Sequence, residues 1–231
     1  MKKQREREER IKKFFNERII RNGQESFSNK INLRNDSEIM ILNFLKKQID
    51  PKKKVLDMGC GEGRFSRYFI EKGTRIYSID FSEEYIKICK NTLKNGRFKV
   101  GSITNIPFKN DNFDYIFCVD VLQHVPKLEK AIHELKRVLK KDGIIIIIDK
   151  NKFGLHKRYL IPEIFIQKYK ELTETRYNGF KEQWFNPKRF NTLLKTEFKN
   201  SEYDYLIEKN KSIIFKIIPQ LNWFVSWKAR K

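Results

Sequence analysis

The sequence predicts an α/β protein: a doubly wound, mostly parallel seven-stranded sheet with helices on both faces, N-terminal helices and a helical, aromatic cap between strands five and six. Three observations carry this. From Lys54 onward, short apolar runs alternate with segments of helical period. The five successive isoleucines Ile144 to Ile148 show no polar alternation, as expected of a strand covered by helices on both faces. A glycine-rich turn, Gly59-Cys60-Gly61-Glu62-Gly63, joins the first apolar run to the amphipathic segment that follows it.

Taken in order, residues from about Glu6 to Ile20 place Ile11, Phe14, Phe15 and Ile19 on one helical face. A second helix starts at Asp36 or Ser37, runs through Ile39, Ile41, Leu42 and Leu45 to Lys47, and is broken by Ile49-Asp50-Pro51. Strands are expected at Lys54–Met58, Arg75–Ile79, Arg97–Val100, Tyr115–Val119 and Ile144–Asp149. Helices are expected at Arg64–Glu71, Glu83–Leu93 and Leu128–Leu139, the last ended by Lys140-Lys141-Asp142-Gly143. Beyond Asp149 comes an aromatic, basic stretch with Phe153, Tyr159, Phe165, Tyr169, Tyr177, Phe180, Trp184 and Phe185. Asn186-Pro187 then caps a helix through Phe190 and Leu194. Tyr203–Ile207 and Trp223–Trp227 alternate as half-exposed or edge strands do.

A chain of 231 residues suits one domain with its own core. Its three cysteines, Cys60, Cys89 and Cys118, are odd in number and lack metal-ligand spacing, so reduced thiols, no metal and an intracellular setting are expected. The charged start, MKKQREREER, is not a signal peptide, and no apolar run approaches the ~18 residues of a membrane span. A cytoplasmic location is therefore expected. The formal charge of +21 invites a nucleic-acid reading. Against it, alanine occurs only at Ala131 and Ala229 while Lys, Ile, Asn and Phe abound, the residue usage of an AT-rich genome, and the lysines are spread along the chain.

The chemistry concentrates at the strand ends. Glycines after the first strand let the backbone turn tightly and let a ligand approach without a Cβ in the way. Asp57 precedes them by two positions, and Asp80 closes the second strand 19 residues after Gly61. A carboxylate there can accept from both hydroxyls of a ribose, which implies an adenosine and fits NAD equally well.

The arrangement D-x-G-x-G-x-G at Asp57 to Gly63 resembles motif I of the class I S-adenosylmethionine-dependent methyltransferases. Three further blocks follow in the family's order. Phe98 to Phe108 is similar to its third motif, with Ser102 where an Asp is usual. Phe113 to Val125 is similar to the fourth. Arg137 to Gly143 resembles the run before strand five, with Asp142 in place of a Pro or Gly. Together they span roughly residues 50 to 150 and are similar to the ubiquinone/menaquinone-biosynthesis type of methyltransferase domain, with its Rossmann-like fold. The resemblance implies residues 1–50 as lid helices, 51–150 as the cofactor-binding core, 151–200 as a substrate cap and 201–231 as C-terminal strands.

It also implies roles. Gly59 and Gly61 line the methionine and ribose of S-adenosylmethionine, with Cys60 filling a small-residue slot between them. Asp57 orients that loop and the methionine amino group, and Asp80 takes the ribose hydroxyls. Phe81 packs on adenine, Ser102 and Ile103 border the base, and the Val119 carbonyl meets the methionine ammonium. Arg34 can reach the cofactor's carboxylate. His124, after strand four, is the candidate general base; His133 reads as structural, and His156 has no assigned role. Lys150, Lys152, Lys157 and Arg158 can draw in an anionic acceptor. The expected activity is methyl transfer to a small-molecule or glycan-like O, N or C acceptor. The alternatives are a tRNA-modifying methyltransferase, which the charge and Asn222-Trp223-Phe224-Val225 favour, and an inactive cofactor-binding partner subunit, which Ser102 favours.

Overall fold

The computed structural model describes residue 6 and residues 9–17, 36–155, 182–208 and 213–231. Residues 9–17 are helical. The elements that follow are α1 (Asp36–Gln48), β1 (Lys54–Met58), α2 (Arg64–Glu71), β2 (Arg75–Asp80), α3 (Glu83–Thr92), β3 (Arg97–Val100), β4 (Phe113–Val119), α4 (Leu128–Val138), β5 (Leu139–Lys150), α5 (Pro187–Glu197), β6 (Asn200–Leu206) and β7 (Phe224–Arg230). A 3-10 turn at Leu122–His124 follows β4, and a four-residue helix at Ile214–Ile217 precedes β7.

One sheet of seven strands runs in the order β3-β2-β1-β4-β5-β7-β6. The first five pair in parallel, and β7 is antiparallel to both β5 and β6. Strand order therefore reverses between β1 and β4, the switch point where open α/β sheets place ligands beyond the carboxyl ends of their strands.

The isoleucine run shows why neither face is polar. Ile146 and Ile148 pack with Phe117, Val55 and Val119 beneath α1 and α2, through Ile41, Leu42, Leu45, Phe65 and Phe69. Ile145 and Ile147 face the other way, with Ala131, Ile132, Leu135 and Val138 of α4 and Phe190 and Leu194 of α5. Alternation persists along the strand, with an apolar layer waiting on each side.

Two expectations shift. The strand expected from Ile144 begins at Leu139, because the chain leaves α4 directly into pairing: Phe113 faces Leu139, and after an irregularity Tyr115 faces Ile144. Asp142 sits in that irregularity at φ 61°, a left-handed position that explains why a Gly is comfortable there. The second shift concerns β7, which is interior and nearly wholly buried rather than half exposed. Phe224 covers one face while Val225, Trp227 and Ala229 cover the other, and the Trp227 Nε1 donates to the Pro187 carbonyl at 3.1 Å. Of the two segments expected to be half exposed, β6, at one edge of the sheet, is so. Of the expected cap, residues 156–181 lie outside the described residues, and α5 packs against the sheet and α4. The aromatic residues expected there divide accordingly: Phe185 joins Phe190 and Trp227 in the core, and Phe153 is exposed.

Candidate functional site

Apolar side chains turn β1 and β2 into buried strands, and where they end the chain must turn within a few residues. Gly59 and Gly61 both adopt positive φ, 83° and 51°. Gly59 and Cys60 donate their amides to the Ile79 carbonyl at 2.7 and 2.9 Å, which folds the loop over the end of β2. A Cβ on Gly59 would lie 2.3 Å from the Val121 Cγ2, whereas at Gly61 it would meet no protein atom within 4 Å. The loop is thus closed on one side and open on the other, toward a cavity of about 650 Å³, within the range of ~300–1,000 Å³ typical of ligand sites.

Asp80 ends β2 beside this loop. One carboxylate oxygen accepts the Gly61 amide and the other the Ser82 amide, each at 2.9 Å. Burial pushes its pKa up to about 6, against the pull of those amides. Phe81 follows it into the cavity lining. Ser102, Ile103 and Thr104, after β3, form the adjoining wall, with the Ser102 and Thr104 hydroxyls 2.9 Å apart. Val119 closes the floor at the end of β4.

Two sequence-predicted residues lie outside the lining. Asp57 turns beneath α2 and accepts from the Ser66 hydroxyl at 2.5 Å; that hydroxyl is itself 2.7 Å from Ser78. Burial raises Asp57 to about 7, Ser66 opposing and Asp80 adding to the rise. The carboxylate therefore braces the loop from below. Cys60 packs with Ile86, Cys89, Leu93 and Phe98, and burial holds its thiol well above the usual range, so it is an inert core thiol. Arg34, Lys157, Arg158 and His156 lie outside the described residues, and His133 is on the exposed face of α4, its Nδ1 3.8 Å from Glu197.

Beyond Val119 the cavity becomes charged. Asp120, at φ 57°, donates its amide to Ile148 and lines the wall with Gln123, His124, Lys150 and Glu182. His124 Nε2 is 3.8 Å from a Glu182 oxygen and 3.2 Å from the Gln123 amide nitrogen. The other Glu182 oxygen is 3.5 Å from Lys150 Nζ and accepts from the Trp184 indole at 3.2 Å. Arg64, first residue of α2, pairs with Glu38 of α1; burial alone would lower it, but Glu38 and Asp120 hold it raised. Burial raises Asp120 and, well above the carboxylate range, its neighbour Asp149.

Glu182, Asp120, Arg64 and Phe15 also line the cavity, and no sequence motif marks them as site residues. Glu182 reaches the cavity because Gln183 donates its amide to the Gln123 carbonyl at 2.9 Å and its side-chain amide to Leu122 at 3.1 Å, fastening that segment to the turn that carries His124. No local spacing signals such a contact. Among the described residues, no group of three or more His, Cys, Asp or Glu could hold a metal ion, and no helix is long and apolar enough to cross a membrane.

Comparison with known proteins agrees with this geometry. A family described as a methyltransferase domain matches residues 56–147. An uncharacterized protein of Methanocaldococcus jannaschii is 34% identical over 191 residues, covering 76% of this chain and 79% of its own. The ubiquinone biosynthesis O-methyltransferase of Haemophilus ducreyi is 29% identical over 109 residues, 43% of this chain; the match spans 46% of that enzyme's length. Among solved structures, a SAM-dependent methyltransferase from Archaeoglobus fulgidus superposes with a TM-score of 0.61 at 17% identity, over 84% of this chain and 94% of that one.

Proposed function

We propose that this chain, which belongs to the class I S-adenosylmethionine-dependent methyltransferases, methylates a hydroxyl or amine of a small polar molecule, with His124 accepting the proton. The observation that carries this reading is the pair His124–Glu182 at 3.8 Å on the wall of the cavity beyond β4.

The residues present suit the cofactor: an open side at Gly61, a buried carboxylate on Asp80 and an apolar slot between Phe81 and Ile103. When bound, S-adenosylmethionine supplies an electrophilic methyl group on a positively charged sulfur that departs neutral. Asp80, which accepts backbone amides from Gly61, Ser82 and Phe81 and still faces the cavity, takes the ribose hydroxyls. Phe81 lies on the adenine, Ser102 and Ile103 border it, and the Val119 carbonyl accepts from the ammonium. Asp57 keeps the glycine loop in place through Ser66, and Cys60 fills the space behind it.

The protein's remaining work is alignment, exclusion of water and removal of one proton. His124 is the titratable side chain suited to that proton, and Glu182, 3.8 Å from its Nε2, steadies the ring by its opposite charge once the proton is taken. The lining carries the acids Glu9, Glu62, Asp80, Asp120 and Glu182 and the bases Lys12, Arg64 and Lys150. Such a surface suits a mixed-polarity metabolite better than a polyanionic RNA backbone.

The test supplies methyl-labelled S-adenosylmethionine and the protein to a cell extract, with and without ribonuclease. Label in a small-molecule fraction that resists ribonuclease supports the reading. Label confined to ribonuclease-sensitive material, or no label despite measured cofactor binding, contradicts it.

A further inference from the structure

We propose that Phe15 closes an aromatic box whose side walls are Phe81, at the nucleoside end, and His124, at the acceptor end, and that the Phe15 ring recognises the positive charge of the cofactor's sulfonium, so that S-adenosylmethionine is held in preference to its neutral thioether product. The proposal rests on the family's cofactor and is independent of the acceptor.

The geometry is that of adjoining walls. The Phe15 ring centroid is 5.8 Å from that of Phe81 and 5.2 Å from that of His124, with 75° between the planes in each pair. Tyr85 stands behind at 6.5 Å. All four side chains line the cavity, so the space the walls bound is cavity space.

Phe15 is not there by simple collapse of a greasy helix. Two polar ties on either side of it fasten the N-terminal segment to the start of α3, directly after Phe81. Lys12 Nζ meets Glu83 at 2.8 Å, and the Ser82 hydroxyl donates to the Asn16 side chain at 2.5 Å. Ser82 is also the residue that caps α3, accepting the Tyr85 amide at 3.3 Å. Ile11, buried, seats the same face one turn earlier. These contacts fix the ring over the cavity from a segment more than sixty residues away in sequence.

Position along the reaction line supplies the rest. Phe81 adjoins Asp80 at the nucleoside end, and His124 stands at the acceptor end. A methyl group passed between those ends must cross the region that Phe15 covers. The faces of aromatic rings carry negative potential and attract a cation, more strongly where water is excluded. The ammonium and carboxylate are shared by the cofactor and its product; the two differ at the sulfur, in its methyl group and its positive charge, and Phe15→Leu keeps apolar cover for the methyl while removing the π face. The acids of the lining also attract that charge, but a substitution at Phe15 leaves them in place.

Calorimetric titration of the full chain, with S-adenosylmethionine and S-adenosylhomocysteine separately, tests the box in the wild type, Phe15→Leu and Phe15→Tyr, with thermal melts to verify folding. Phe15→Leu, which keeps apolar cover and removes the π face, should weaken S-adenosylmethionine about three- to tenfold and the product by less than about twofold. Phe15→Tyr should keep the wild-type ratio. Equal weakening of both ligands by Phe15→Leu, or no change in either, overturns the box and leaves Phe15 a packing residue. Failure of the wild type to bind either ligand overturns the box together with the cofactor site.

Discussion

The Asp80 carboxylate accepts the Gly61 amide at 2.9 Å and so ties the end of β2 to the loop that leaves β1. One bond thereby fixes both sides of the nucleoside cradle: the acid presented to the ribose is also the group that shapes the glycine loop. The two acids named in the sequence motif divide the labour. Asp80 faces the cavity, and Asp57, one strand over, braces the loop from beneath through Ser66.

Asp57 gives a pH prediction. Its pKa is raised from 3.8 to about 7, chiefly by burial, so the folded state binds the proton more tightly than the unfolded chain does. The resulting stabilisation is full below pH 4 and disappears as pH rises through about 7. Asp57→Asn, neutral at every pH, should therefore melt higher than the wild type at pH 8, by up to about 4 kcal/mol, and the advantage should vanish near pH 4. Thermal melts across that window check it; a gain that is constant with pH would contradict it.

Gly59 gives a steric one. Positive φ and a Cβ position 2.3 Å from the Val121 Cγ2 leave no room for alanine. Gly59→Ala should cost on the order of 2–4 kcal/mol, and Val121→Ala placed beside it should recover part of that loss by removing the clash but not the backbone strain. Chemical denaturation of the two single variants and the double variant reads the coupling directly.

In the core, Trp227 is fully buried against Phe185 and Phe190, and its indole donates to Pro187. Trp227→Ala should cost about 3–5 kcal/mol, whereas truncation of the exposed Ile217 should stay within about 0.5 kcal/mol. Equal effects in denaturant would refute the burial of β7.

For the proposed base, His124→Asn should lower turnover of the acceptor about 10²- to 10⁴-fold at saturating S-adenosylmethionine, with a loss of cofactor affinity no larger than that of Phe15→Leu, since the ring is a side wall of the aromatic box. Glu182→Gln should lower turnover less and shift the acidic limb of the pH–rate profile. Radiometric assay of the acceptor found by labelling, across pH, separates the two; abolition of cofactor binding in either variant would place the residue in the nucleoside cradle instead.

The first five strands were legible because each is a short stretch rich in apolar residues and bounded by turn residues, and their ends fixed the places of Asp57, Asp80 and Val119. The start of β5 was not, since Lys140 to Gly143 reads as a loop and becomes strand only through pairing with Phe113. Nor was the burial of β7, since Ser226 and Lys228 give a half-exposed pattern that covering layers on both sides override. The nucleoside half of the site lies within one continuous stretch, so local spacing revealed it. The rest of the cavity is assembled from Phe15 above the cofactor and from His124 and Glu182 at the acceptor end, which only the fold brings together, and of these three the sequence offered His124 alone.

The most direct measurement is the affinity of S-adenosylmethionine for the wild type and for Asp80→Ala by titration calorimetry, with folding verified by circular dichroism. The account predicts saturable binding at one site in the wild type and a loss of at least about tenfold in the folded variant, as expected when a charged partner of two ribose hydroxyls is removed. Unchanged affinity in a folded Asp80→Ala would contradict it.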